Sequence, residues 1–288
     1  MSTNENLHRA NASKNDEFYT RYEDVVRTLT PFKDYITGKH IYCNCDNPDV
    51  SNYVKYFLDN FKQLNLTKLT TTYFDDSGDD VYLTRYSLSD DGHIKTKKKK
   101  ISGDGSFDSK ECLKALDKCD VVITNPPFSI FNRFFDILRS KNKDFIVIGP
   151  ILKVQVKAFR DELLAGNVHS TGIKVNKFIC EDDYENYHSI DDDGNKIKNI
   201  AATVYSTFDV NQKPDLATMY QKTLEHYDDY DAINVDSLRD IPFGYLGKIG
   251  VPITILHTNY EDYFEVVDFA DPTINGRNVF KRVIIKRI

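Results

Sequence analysis

Apolar positions along the chain fall into two rhythms that take turns. Tyr22, Val25, Val26 and Leu29 keep helical spacing until Pro31 interrupts it, and Thr20-x-x-Glu23 predicts a capping box at the start of that helix. His40-Ile41-Tyr42-Cys43 is a short apolar run expected to form a buried strand. Val50, Tyr53, Val54, Phe57, Leu58 and Phe61 then return to the helical period, with Asn47 expected as N-cap and Pro48 as first helical residue. Strand, tight turn and helix make the opening half of a βαβ unit.

The alternation continues. Leu69–Phe74 reads as a second strand, and Val81–Ser87 with His93–Ile101 as a hairpin around Asp90-Asp91-Gly92. Ser109 is expected to cap a helix through Leu113 and Leu116. Asp120–Thr124 is a continuous apolar strand closed by two prolines, followed by a helix on Phe131, Phe134, Phe135 and Leu138. Phe145–Ile148 reads as a strand ended by Gly149-Pro150, and Leu152, Val156, Phe159 and Leu163 as a helix closed by Gly166. Ile173–Cys180 and Ile197–Thr207 flank a polar tip and predict an antiparallel edge hairpin. The fold class expected is therefore α/β, a doubly wound, Rossmann-like sheet that is mostly parallel. Beyond residue 208 the pattern thins to a helix begun by Pro214 and short β pieces at Val251–Leu256, Tyr263–Val267 and Val279–Ile285. The expected organisation is a core over 1–207, with 1–15 a loose arm and 81–101 a hairpin insertion, and a C-terminal region over 208–288.

Composition narrows the function classes. With 288 residues, 40% hydrophobic and 12% aromatic, the chain carries enough apolar matter for a buried core and is not a disordered chain. Lysine and arginine number 38 against 44 acidic residues, a net charge of −6 that argues against non-specific coating of nucleic acid. No apolar run reaches the ~20 residues of a membrane span, and Met1–Lys14 is too polar for a signal peptide. Five cysteines without framework spacing suit a reducing cytoplasm, and no zinc pattern occurs, so no metal is expected.

The chemistry concentrates at Asn125-Pro126-Pro127-Phe128. In an open α/β sheet the ligand crevice lies beyond the carboxyl ends of the strands, and Asn125 falls just there. Each proline fixes φ and lacks an N–H, so the segment leaves the sheet extended and stiff. It presents the Asn125 side-chain oxygen and the Pro126 carbonyl as acceptors beside the flat face of Phe128. Such a ledge suits a planar heterocycle bearing an exocyclic amino group. Accepting both N–H bonds would localise the nitrogen lone pair and aim it at an activated methyl, for which S-adenosylmethionine is the natural donor. Asn-Pro-Pro is also ordinary turn chemistry, so its position after the strand is what favours the functional reading.

These residues and others resemble the EcoRI modification methylase family of adenine-specific DNA methyltransferases. The matching stretches are Lys14–Thr20, Ile41–Asp46 with Ser51-Asn52 and Lys55–Phe57, Gly103–Ser109, Asp120–Ser129 and Gly247–Thr254, in family order. The resemblance implies transfer of a methyl group from S-adenosylmethionine to the N6 of a flipped adenine in double-stranded DNA. It implies catalytic roles for Asn125, Pro126, Pro127 and Phe128. It also implies cofactor contacts from Phe18, Tyr19 and Thr20, from Asn44, Cys45 and Asp46 in place of a glycine-rich turn, from Asp75 (or Asp76), and from Asp104 and Phe107.

Strands and helices fill the stretch between Asp46 and Asn125, so recognition of DNA is expected after about residue 208 with help from the 81–101 hairpin. Lys97, Lys98, Lys99 and Lys100, together with Arg277, Lys281 and Arg282, are the candidate phosphate contacts. A monomer working in the cytoplasm, in a system with a cognate restriction endonuclease, is the accompanying expectation. Two alternatives stand beside it: an RNA or protein-glutamine methyltransferase using the same motif, and a non-catalytic DNA-binding decoy of the same fold.

Overall fold

The computed structural model describes residues 18–75, 81–181, 184–210, 225–242 and 244–288. The arm over 1–15, Asp76 and the helix expected from Pro214 lie outside the described residues. The chain divides into two compact units: Met1–Pro150 with Ile173–Val210, and Ile151–Gly172 with Asn211–Ile288.

The first unit is built from β1 (Tyr19–Thr20), α1 (Tyr22–Leu29), α2 (Lys33–Ile36), β2 (His40–Cys43), α3 (Asn52–Asp59), β3 (Lys68–Thr71), β4 (Tyr82–Leu88), β5 (Ile94–Lys100), α4 (Lys110–Leu116), β6 (Val121–Thr124), α5 (Phe131–Ser140) and β7 (Asp144–Pro150). After α6 (Lys157–Leu164), which belongs to the second unit, follow β8 (His169–Ile179), β9 (Ser189–Ile190) and β10 (Lys196–Ser206). Ten strands among the described residues join in one sheet of order β1-β8-β10-β7-β6-β2-β3-β4-β5, with β9 paired to β10. The middle four run parallel: Asp144 of β7 lies opposite Val121 of β6, Ile41 of β2 opposite Val121 of β6, and Ile41 also opposite Leu69 of β3. This is a mixed α/β fold whose centre is parallel and whose flanks are antiparallel.

Sequence explains the centre. β2, β6 and β7 are near-continuous apolar runs, as strands covered on both faces require. Ile41, Val121, Ile123, Ile146 and Ile148 are buried with Leu29, Phe32, Phe57 and Phe61 in one core cluster. The chain visits β3 on one side of β2 and only later β6 on the other, so the order reverses at β2. In an open sheet such a reversal leaves a crevice at the carboxyl ends of the two strands.

Several expectations need correction. Thr20 does not cap α1: it sits in β1, and Arg21 occupies the N-cap position with no side-chain cap bond. Asn47 does not cap α3 either. It holds a turn by accepting from the Val50 and Ser51 amides, and Ser51 caps the helix by accepting from the Tyr53 and Val54 amides. Ser51 wins because its hydroxyl serves the helix while its proton goes to Asp46. The strand expected over Leu69–Phe74 ends at Thr71, and the helix expected from Leu152 starts only at Lys157, behind a 3-10 turn over Ile151–Gln155. β8 and β10 extend the sheet as expected, yet β8 is not its edge, because β1 pairs with it antiparallel (Thr20 opposite Phe178).

In the second unit β11 (Glu225–His226), β12 (Ile233–Asn234), β13 (Ile249–Pro252), β14 (Phe264–Ala270) and β17 (Arg282–Arg287) form a sheet of order β11-β12-β13-β17-β14. A small separate hairpin pairs β15 (Thr273–Ile274) with β16 (Arg277–Asn278). The strand expected over Val251–Leu256 gives way after Pro252 to a 3-10 turn, Ile253–His257. No helix among the described residues is long and apolar enough to cross a membrane.

Candidate active site

The parallel neighbours β2 and β6 release their turns side by side. From β2 comes Asn44-Cys45-Asp46, and from β6 comes Asn125-Pro126-Pro127-Phe128. Asp46 ties the two together. Its Oδ1 accepts from Ser51 Oγ at 2.6 Å, its Oδ2 accepts from Thr124 Oγ1 at 2.5 Å, and its amide donates to the Thr72 carbonyl beyond β3. Asp46 thereby links the ends of three strands to the start of α3, through its carboxylate to Thr124 and Ser51 and through its amide to Thr72. Burial raises its pKa to about 6, although both hydroxyl bonds favour the charged form and pull the other way.

Asn125 is half-buried at the end of β6, and its two amide atoms have different fates. Nδ2 donates to the Phe18 carbonyl at 2.5 Å. A carbonyl can only accept, so this bond fixes which way round the amide lies. Oδ1 is left buried without a hydrogen-bond partner among the described residues. Pro126 is buried and Pro127 half-buried, and neither brings an amide donor that could satisfy that oxygen. Phe128 stands edge-to-face on Phe178 with centroids 5.9 Å apart, braced by the strand that pairs with β1. Phe18 itself packs edge-on against Tyr184 at 5.5 Å. The N-terminal segment and the proline ledge, 107 positions apart, form one structure.

More unpaired acceptors lie nearby. Asn44 Oδ1 follows β2, Thr71 Oγ1 closes β3, and Thr20 Oγ1 lies in β1; all three are buried without a partner. Buried polar atoms are normally satisfied, so the Asn44 and Thr71 oxygens at the carboxyl ends of the neighbouring strands β2 and β3 mark where a ligand's donors belong. Beside them, Asp75 is half-buried and its amide donates to the Asp104 carbonyl at 2.9 Å, which brings the two acidic candidates to one wall. Gly105 makes this meeting possible. It has φ of +73°, and a Cβ there would collide with the Tyr73 carbonyl oxygen. Gly105 lies within the matching stretch Gly103–Ser109, but no pattern there tells its role from that of Gly103. A set with a buried carboxylate, unpaired amide and hydroxyl oxygens and two further acids fits a ligand carrying an ammonium and sugar hydroxyls.

Other candidates are placed differently. Phe107 is buried edge-on against Phe134 at 5.2 Å, with the Arg133 guanidinium over its ring. Tyr19 donates to Glu181. Cys45 is half-buried, and burial pushes the Cys43 thiol well up. Strand alternation splits the lysine run of β5: Lys99 pairs with Glu111 of α4 at 3.0 Å, while Lys98 and Lys100 belong to the opposite face. In the second unit Arg282 is buried and bonded to Asp236 at 2.6 Å, Lys281 pairs with Asp271 at 3.4 Å, and Arg277 is exposed. Of these three cations, Arg282 and Lys281 are ion-paired inside their own unit, and Arg282 is the buried one.

Comparison with known proteins follows the same lines. A family model described as adenine-specific methyltransferase EcoRI matches residues 6–287. Type II methyltransferase M.EcoRI of Escherichia coli is 34% identical over 99% of this chain and 97% of its own length. Type II methyltransferase M.MpnI of Mycoplasma pneumoniae is 32% identical over 92% of this chain and 86% of its own, and M.MgeORF184P of Mycoplasma genitalium 30% identical over 98% of each. No solved structure matches.

Proposed function

The chain belongs to the EcoRI family of adenine-specific methyltransferases and is a DNA adenine methyltransferase; on that premise we propose that the proline ledge holds the amino group of an extruded adenine while its nitrogen takes a methyl group. The observation that carries this reading is the Asn125 amide, with its nitrogen committed to Phe18 and its oxygen buried and unpaired.

The chain's own residues divide the work. Asn125 Oδ1 accepts one N6–H bond and the Pro126 carbonyl accepts the other, which reduces delocalisation of the lone pair into the ring and points it away from the ledge. Phe128, held from below by Phe178, stacks on the purine and replaces part of the stacking lost on leaving the duplex. The turn after β2 and the walls after β3 bind the methyl donor: Asp46 faces its ammonium, Asn44 and Thr71 offer acceptors, and Asp75 with Asp104 takes the ribose hydroxyls. An ammonium beside Asp46 would favour the carboxylate form that burial alone disfavours. Bound S-adenosylmethionine supplies a methyl on a sulfonium leaving group. A strong base is then unnecessary, and rate comes from holding nitrogen and methyl in line. The doubly wound, Rossmann-like reading of the fold rests on the chain reversal at β2 and on family membership.

Duplex DNA is the proposed partner, with Lys97–Lys100, Arg277 and Lys281 near phosphates. The same reading carries a cytoplasmic monomer acting beside a cognate endonuclease. The test is methylation by the purified chain on duplex DNA, on RNA and on protein, with calorimetric titration of S-adenosylmethionine alongside. Labelled N6-methyladenine in DNA is the expected product; transfer to RNA alone, or no binding of the methyl donor, would remove the reading.

A further inference from the structure

Away from the crevice, beside the amino ends of β2 and β3, lies a groove of about 340 Å³. It is lined by His40, Lys68, Thr70, Arg85, Ser87, Lys97, Ala115 and Lys118, so four of its eight lining residues are cations and none is acidic. The cations come from four places in the sequence, and sheet register brings three of them together. His40 lies opposite Lys68, Thr70 opposite Arg85, and Arg85 directly opposite Lys97. Ala115 and Lys118, at the end of α4 and just beyond it, close the groove.

Three features separate this groove from an ordinary solvated lysine patch. Arg85 and Lys97 are like charges facing each other across an antiparallel ladder, an arrangement that destabilises a sheet. None of Lys68, Arg85, Lys97 and Lys118 has an ion pair among the described residues, although Arg85 and Lys68 are half-buried. The nearby Asp120 carboxylate is engaged by the His40 amide at 2.7 Å. At the inner end His40 gives its Nδ1 proton to the Lys118 carbonyl, and its Nε2 shares a hydrogen bond with the Thr70 hydroxyl at 2.8 Å. Burial is the main influence that lowers its pKa; the Lys68 and Arg85 charges add to it, while the bond to the Lys118 carbonyl and the Asp120 charge oppose it. The groove is of the size of a small-ligand site but lacks the apolar lining such sites use. Its chemistry suits a compact anion with several acceptor oxygens, which a guanidinium and lysine ammoniums bind through charge-assisted hydrogen bonds.

We propose that this groove binds a phosphate group, with Arg85 and Lys97 as its principal ligands and Lys68 and Lys118 completing the charge. The site is independent of methyl transfer; only the question of whether the phosphate belongs to the DNA backbone rests on the function proposed above. Thermal unfolding of the full chain in inorganic phosphate and in chloride, at matched pH and ionic strength, tests it. The midpoint should rise saturably with phosphate in the parent chain and in Lys33→Gln, a charge removed outside the groove. Arg85→Gln and Lys97→Gln should lose the response. In phosphate-free buffer Arg85→Gln should unfold no earlier than the parent, which separates a lost ligand from a damaged fold.

A second arm identifies the source of the phosphate. If it belongs to duplex DNA, Arg85→Gln lowers the slope of log affinity against log salt by about 1. If the slope is unchanged while the inorganic-phosphate response is lost, the ligand is a free phosphate or phosphoester. Both results support the site. It is overturned if Arg85→Gln and Lys97→Gln respond to phosphate and to DNA as the parent does. Running the same measurements in Asn125→Ala keeps a failure of the groove distinguishable from a failure of the methyl-transfer site.

Discussion

At the carboxyl ends of β2, β3 and β6 the unpaired buried atoms are oxygens: Asn44 Oδ1, Thr71 Oγ1 and Asn125 Oδ1. Beside the amino ends of β2 and β3, the groups without a counterpart among the described residues are cations: Lys68, Arg85, Lys97 and Lys118. The same few strands carry both sets. An acceptor without a donor calls for an amino group or a hydroxyl, and a cation without a counterion calls for an anion. The sign of what a fold leaves unsatisfied thus indicates the class of molecule that completes it. The two regions also differ in rigidity. Prolines, a braced aromatic ring and a shared carboxylate fix the first, whereas the second rests on long side chains along an exposed hairpin.

The contrast can be broken experimentally. The largest effect should come from Asn125→Ala, which removes the buried acceptor and should cost ~2–4 kcal/mol of transition-state stabilisation while affinity for S-adenosylmethionine stays nearly unchanged. Single-turnover methylation with calorimetry checks it, and retained turnover would remove Asn125 from the chemistry.

Next in size is the pH dependence due to Asp46. Its folded pKa of about 6 lies above the ordinary 3.8, so the native state holds more protons than the unfolded chain between those values. This group's contribution to stability is therefore present at low pH and falls as pH rises from about 4 to 6, by on the order of 3 kcal/mol. Asp46→Asn should abolish that part of the decline. Denaturant unfolding of both chains at pH 4 and at pH 7 measures it; equal pH dependence in the two would show that the buried carboxylate is not the source.

Phe128→Ala should weaken capture of the flipped base by ~1–3 kcal/mol, seen as fluorescence of 2-aminopurine at the target position, and leave the methyl donor's affinity alone. The smallest effect lies at the other end of the sheet. Relief of the repulsion between Arg85 and Lys97 by Arg85→Gln should raise stability by ~0.2–1 kcal/mol in phosphate-free buffer, opposite in sign to most substitutions. A loss there would indicate that Arg85 contributes to packing.

Features carried by neighbours in sequence are the legible ones. Asp120–Thr124 and the two prolines announce a strand and a stiff exit, and Asp90-Asp91-Gly92 a hairpin turn, because period, propensity and turn chemistry act over a few residues. What escapes depends on partners far along the chain. β1 has two residues and no period of its own; it exists because β8 offers an edge. Asn47-Pro48 is the stronger local signal for a helix start, yet Ser51 takes the cap because its proton goes to Asp46, which Thr124, 78 positions away, holds from its other oxygen. By type alone Phe107 and Arg282 are a ring and a cation available to ligands, and packing engages both inside the protein. The cationic groove is invisible for the same reason. The lysine run of β5 stands out, but Arg85 and Lys68 reach it through register and Lys118 through the turn after α4.

The bond from Asn125 to the Phe18 carbonyl bears on which amino acids the ledge can accept. A carboxylate at position 125 would turn one of its oxygens toward another oxygen, lone pair against lone pair, and would be tolerated only if protonated. An amide escapes that clash because it carries a donor and an acceptor on one plane. The constraint comes from the backbone path at residue 18 and not from its side chain: an acid can enter at the ledge protonated, or with the N-terminal segment rebuilt to offer it a hydrogen.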